Sequence, residues 1–195
     1  GSVTGVDTAV GHFSADHVLS TIPMPLISKL VPDLPLEWKQ RYDAIESIGL
    51  CCLIFKLKRP VSGHFWVNIS NQEYDIPGII EFSNLRPLSH SVVYAPYYLP
   101  LTNPKFAWSD EQFIADAFGC LQLINPSLTR DDVLDVRVAR LRHAQPICEP
   151  GFAAKIPPIQ TPIRGLQIAD TCFYYPEDRG IAESVRMGRN MARAV

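Results

Sequence analysis

Ile48-Gly49-Leu50-Cys51-Cys52-Leu53-Ile54-Phe55 opens an apolar run that continues through Lys56-Leu57-Lys58 and stops before Arg59-Pro60. It falls far short of the roughly 20 residues that a spanning helix needs. Bounded by a proline and rich in Ile, Leu and Phe, it reads as a strand covered on both faces. Downstream, "HFWVNIS" (64–70), "GIIEF" (78–82) and "SVVYAPYYL" (91–99) continue the β pattern with turn residues between them. These four runs are expected to form one antiparallel sheet. Upstream, Trp38, Tyr42 and Ile45 recur at spacings of four and three, which predicts a short amphipathic helix after Pro35.

Further out, Ser109 stands three residues before Gln112, so hydroxyl and amide can cap each other's backbone N–H groups at a helix start. Phe113, Ala117, Leu121 and Ile124 carry that helix on one face, and Asn125-Pro126 stops it. In "VLDVRVARL" (133–141), Leu134, Val136 and Val138 alternate with charges, predicting a half-buried strand. Val3 to Thr21 reads as extended structure stopped by Pro23 and Pro25. The resulting fold class is α+β, an antiparallel or mixed sheet with packed helices.

Composition narrows the functional classes. The 195 residues carry 18 basic and 20 acidic side chains, a balance without the positive footprint that neutralises phosphates, so nucleic acid is excluded as a partner. No membrane span is expected. Cys51, Cys52, Cys120, Cys148 and Cys172 show no C-x-x-C spacing, which predicts reduced thiols, no metal site and a cytoplasmic setting. His12, His17, His64, His90 and His143 are scattered. The phosphate-loop, zinc-helix, nucleophile-elbow and G-x-G-x-x-G fingerprints are all missing. Trp66, Tyr94, Tyr97 and Tyr98 are candidates for a pocket wall, with sheet packing as the alternative.

One constellation rises above this background: the apolar "GLQI" (165–168) reaching Asp170, then Phe173-Tyr174-Tyr175-Pro176, then Gly180 opening a helix from about Ile181 to the end. A helix start offers unpaired N–H groups and partial positive charge to an anion or a carbonyl. By spacing alone, Asp170 can equally end a strand and Gly180 serve a turn. Ile181, Val185, Gly188, Ala192 and Val195 share one face of the last helix, flattened by Gly188 and Ala192.

"GLQIADTCFYYPEDRGIAESVRMGRNMA" (165–192) resembles the C-terminal flavin-binding segment of the FAD-dependent amine oxidase and protoporphyrinogen oxidase-like superfamily, with Ala169-Asp170 in place of a Gly-Asp pair. "ADHVLSTIPMPLISKLVP" (15–32) is similar to the segment through which such chains leave the FAD domain for the substrate domain. The resemblance implies a fold like the substrate domain of FAD-linked oxidoreductases. It assigns residues 1–21 to the FAD domain, 22–163 to a substrate-binding domain, and 164–195 to a flavin-contacting strand and helix. It also implies that Asp170 lies near the pyrophosphate or ribityl part of FAD, and that Gly180, Ile181 and Ala182 face the flavin ring. FAD is then the cofactor of the complete enzyme and is not retained by this chain, whose partners are a small-molecule substrate and the missing FAD-binding domain. Residues 16–21 and 165–170 should lie side by side, apart from the main sheet. Truncation would bare Val18, Leu19, Leu166 and Ile168 together with the last helix and invite self-association. The chain is then inactive alone, and no catalytic residue is assigned. The alternatives are a non-redox flavoprotein such as a nucleotide-sugar mutase, favoured by a basic cleft, and a cofactor-free interaction module.

Overall fold

In the computed structural model, which describes residues 1–195, the elements in chain order are β1 (Gly5–Thr8), β2 (Gly11–Ser14), β3 (Val18–Ser20), α1 (Ile27–Leu30), α2 (Leu36–Asp43), β4 (Ser47–Leu57), β5 (Trp66–Asn68), β6 (Gly78–Glu81), β7 (Ser91–Leu99), α3 (Asp110–Ile124), β8 (Val133–Pro146), α4 (Phe152–Lys155), β9 (Leu166–Ile168) and α5 (Ile181–Arg193). The fold is α+β, as expected. Short 3-10 turns cover 24–26, 82–84, 104–107, 130–132 and 171–174. Two compact units emerge, Ile48–Ala144 and a second built from Gly1–Ser47 with Gln145–Val195. This division places 22–47 and 145–163 with the terminal segments.

The apolar run 48–58 becomes β4, inside a five-stranded sheet of order β5-β6-β7-β4-β8. β4 and β7 pair antiparallel from Gly49 opposite Leu99 to Leu57 opposite Ser91, and β7 with β6 and β6 with β5 are antiparallel too. The four runs do share one sheet. Odd-numbered Cys51, Leu53, Phe55 and Leu57, with Val93, Ala95, Tyr97 and Leu99, are buried in a core with Phe113, Ala117, Phe118 and Leu121 of α3. Each Val, Leu or Phe among them, once removed from water, contributes about 1.5–3 kcal/mol. Gly49 sits where a Cβ would collide with the Phe106 ring. The expected capping box opens α3, Gln112 N–H donating to Ser109 Oγ and Ser109 N–H to Gln112 Oε1.

Two details depart from expectation. On β8 the residues packed on the core are Val133, Val136 and Val138, while Leu134 is exposed. The alternation slips at Asp135, whose carboxylate accepts the Val136 N–H. Tyr97 is no pocket residue: it lies on the core face, its hydroxyl donating to Asp116 Oδ2 at 2.7 Å and its ring edge-on to Phe113. Burial, then the Asp116 hydrogen bond, hold its phenol protonated.

At the end of β4, Arg59 grips Asp132 with Nε and Nη2 at 3.0 and 2.9 Å, and Asp132 also accepts the Thr129 N–H. The guanidinium first, then that N–H, pull the Asp132 carboxyl down to about 2. Its folded value lies below its unfolded one, so its stabilisation is complete above about pH 4 and is lost as pH falls toward 2. Asp132→Asn should therefore lower the midpoint of thermal unfolding at pH 6 and lower it much less at pH 2. An equal difference at both pH values would remove the ion pair from the account.

In the second unit β3 pairs in parallel with β9, Val18 opposite Leu166 and Ser20 opposite Ile168, in a two-stranded sheet of its own. Residues 16–21 and 165–170 thus lie together, as expected. Gly165 makes the approach possible: its φ of +83° suits glycine, and a Cβ there would strike the Asp16 carbonyl. Leu166 and Ile168 are not bare. They are buried with Met24, Ile27, Tyr42, Phe152 and Cys172, because α1, α2 and the 24–26 turn cover that side of the pair. Leu19 alone of the four is exposed.

Candidate functional site

Asp170 follows β9 by two residues and is half-buried. Its Oδ1 accepts the Cys172 N–H and its Oδ2 the Met24 N–H, both at 2.8 Å. One carboxylate therefore caps the turn 171–174 and ties it to the turn 24–26, which follows β3. An oxygen accepting one N–H keeps a second lone pair, so the group can hold a further donor. Beside it Cys172 is fully buried, and burial, then the Asp170 charge, push its thiol well above the ordinary range. It remains a neutral thiol. Burial likewise lifts Cys51 and Cys120 to about 11, and all five cysteines are free, so none is poised as a nucleophile.

Gly180 is the N-cap of α5, as expected, in ordinary extended conformation (φ −155°). No side chain caps the helix there. Ile181 is 86% exposed and Ala182 is exposed, and the carboxylate of Glu183, in the first turn of α5, lies beside Gly180. The start is held from behind: Ser184 Oγ donates to the Gly180 carbonyl and the Tyr174 hydroxyl donates to Ser184 Oγ, each at 2.9 Å. This fastens α5 to the turn that Asp170 caps. Ile181, Val185, Gly188, Ala192 and Val195 are all exposed, whereas Met191 is buried on the other side. Met191 also anchors Gln167, whose Nε2 donates to the Met191 carbonyl. Gln167, only 3% exposed, keeps an Oε1 without a donor. Asp170 and the helix start are thus built on one framework, and the Met24 and Gln167 contributions were not foreseen. Nothing local signals a backbone donor 146 residues away.

The opposite side of the five-stranded sheet is the other candidate surface. Trp66, Tyr94 and Tyr98 lie on it with Leu50, Cys52, Ile54 and Ile80, half-buried except for the more exposed Trp66. No cluster of His, Cys, Asp and Glu could hold a metal ion, and no helix is long and apolar enough to cross a membrane.

The family model for flavin-containing amine oxidoreductases matches residues 1–190. The chain belongs to that family. No curated protein matches it. Among solved structures, this amine oxidoreductase chain is similar to a protein from Exiguobacterium sp. 255-15 provisionally assigned as a protoporphyrinogen oxidase (20% identity, TM-score 0.63, covering 85% of this chain and 38% of that one). It is also similar to an oxidoreductase from Methanosarcina mazei (17%, 0.61, 87% and 40%) and to a reduced UDP-galactopyranose mutase (15%, 0.59, 79% and 36%). At these identities the likeness establishes fold. The chain spans about two fifths of the length of those proteins.

Proposed function

We propose that this chain supplies the substrate-binding sheet and the flavin-contacting strand and helix of an FAD-dependent oxidoreductase, and that a separate dinucleotide-binding domain completes the cofactor site. The observation that carries this is the parallel β3–β9 pair, leading to Asp170 and the uncapped start of α5. Two parallel strands are too few to stand alone, since parallel sheets occur inside larger α/β layers. Residues 1–21 and 164–195 then belong to the flavin side. Of the segment 22–163, residues 48–144 form the sheet that faces substrate.

The residues present fit the cofactor. Asp170 is half-buried and keeps lone pairs for hydroxyl donors, and the start of α5, with Ile181 and Ala182 exposed, stands on the same turn. Asp170 would hold the ribityl or pyrophosphate region, and Gly180, Ile181 and Ala182 would present backbone N–H groups to the ring. When bound, FAD accepts a hydride from a substrate C–H bond. The chain's own part is to orient: the Asp170, Ser184 and Tyr174 bonds keep helix start and carboxylate in register.

Absorbance spectroscopy tests this. The purified 195 residues should carry no flavin, and a longer chain of the same reading frame, including a G-x-G-x-x-G segment, should be yellow. A stoichiometric flavin complex of the 195 residues alone would remove the need for a second domain, and a colourless longer chain would overturn the flavin assignment.

A further inference from the structure

Phe65, Trp66, Leu85 and Leu88, all exposed, belong to one corner of the five-stranded sheet, where β5 starts and β6 ends. The Glu81 N–H donates to the Phe65 carbonyl at 2.8 Å. Asn84 Nδ2 then staples the turn after β6 to the 61–65 loop, donating to the Ser62 and His64 carbonyls at 3.1 and 3.0 Å. Beneath them the buried Glu81 carboxylate accepts the Val61 and Ser62 N–H groups. Residues 63–66 and 84–89 are nevertheless exposed without a break. The loops are braced from within while their apolar side chains stand together in water, and contiguous exposure of that kind marks a contact surface.

Charge says what kind of surface it meets. Neither 58–65 nor 82–90 contains an Asp or Glu, whereas Lys58 and Arg86 are exposed and in no ion pair. The carboxylates of this end of the sheet lie elsewhere. Glu81 is buried, Asp132 is held by Arg59, and Asp131 stands beside β8 at the far edge of the strand order. Glu73 and Asp75 belong to the loop at the other end of the β5–β6 hairpin. A second copy packed here about a two-fold axis would bring Lys58 and Arg86 toward their own duplicates with no acid on either loop to pair them. Exposed Trp, Phe and Leu beside Lys and Arg instead match a bilayer interface, where indole sits at headgroup level and cations meet anionic lipid. We propose that this corner docks peripherally on an anionic lipid surface. Phe65, Trp66, Leu85 and Leu88 enter the boundary between headgroups and acyl chains, and Lys58 and Arg86 meet lipid phosphates. Such docking is independent of the flavin site.

Vesicles of about three parts phosphatidylcholine to one part phosphatidylglycerol are titrated into the 195-residue chain and pelleted. The chain should sediment with them, and about fivefold or more weaker with phosphatidylcholine alone. Trp38 and Trp108 pack against the two cores, so the exposed Trp66 should supply a blue shift in emission and quenching by brominated acyl chains. Leu85→Asp combined with Leu88→Asp should weaken binding about tenfold or more, and Arg86→Gln about fivefold. All three positions are exposed, so the midpoint of thermal unfolding should hold. No sedimentation, equal binding to both kinds of vesicle, or undiminished binding by the double variant each overturns the proposal. The last would pass the contact to the exposed Arg186, Arg189 and Arg193 of α5. A dimer that the double variant dissociates overturns it in favour of a second copy. Loss of vesicle binding in a longer, flavin-binding chain overturns it in favour of the dinucleotide-binding domain.

Discussion

Glu81→Ala will lower the unfolding free energy by about 3 kcal/mol or more, a large part of the 5–15 kcal/mol typical of a folded chain. The side chain is completely buried at the end of β6. Oε1 accepts the Val61 N–H at 3.0 Å and the Ser91 hydroxyl at 2.6 Å, while Oε2 accepts the Ser62 N–H at 2.8 Å and the Ser62 hydroxyl at 3.3 Å. Alanine leaves these donors buried or half-buried without an acceptor, and each unmet donor costs about 1–3 kcal/mol. Glutamine keeps one acceptor oxygen and should lose roughly half as much. Urea unfolding followed by circular dichroism measures both. A shift below about 1 kcal/mol for alanine would show that water reaches the site.

Glu81 also marks what sequence could and could not disclose. "GIIEF" reads correctly as a strand, yet a lone acid in an apolar run carries no sign of inward burial, because its partners lie 10 to 20 residues away in a loop and another strand. Ser109 and Gln112 were legible because a cap is a local bond closed within one turn. The face of Tyr97 was legible in principle: it shares odd parity with Val93, Ala95 and Leu99, whereas Tyr94 and Tyr98 share even parity. Parity says which residues go together, and only the position of α3 says which set is core. The pairing of β3 with β9 could not come from periodicity, since three-residue strands have too little of it, and it came from resemblance. The burial of Leu166 and Ile168 has no local sign either. Nothing in their neighbourhood announces that α1 and α2 cover them.

Asp170 is where structural and cofactor roles coincide, and its substitution separates them. Asp170→Ala removes the acceptor from both Met24 and Cys172 N–H groups and should destabilise the 195-residue chain by about 1–3 kcal/mol. Asp170→Asn retains one acceptor oxygen, so it should keep the cap on the turn 171–174 and lose the tie to the turn 24–26, at roughly half that cost. In a longer, flavin-binding form of the protein, both variants should also weaken FAD by about tenfold or more, since a charge-assisted hydrogen bond to a cofactor hydroxyl contributes about 1.5–3 kcal/mol. Stability and affinity then respond differently to the two variants: asparagine recovers much of the first and little of the second. If FAD affinity instead follows stability, or does not change, Asp170 only braces the turns. The flavin contact would then rest on the start of α5 at Gly180, Ile181 and Ala182.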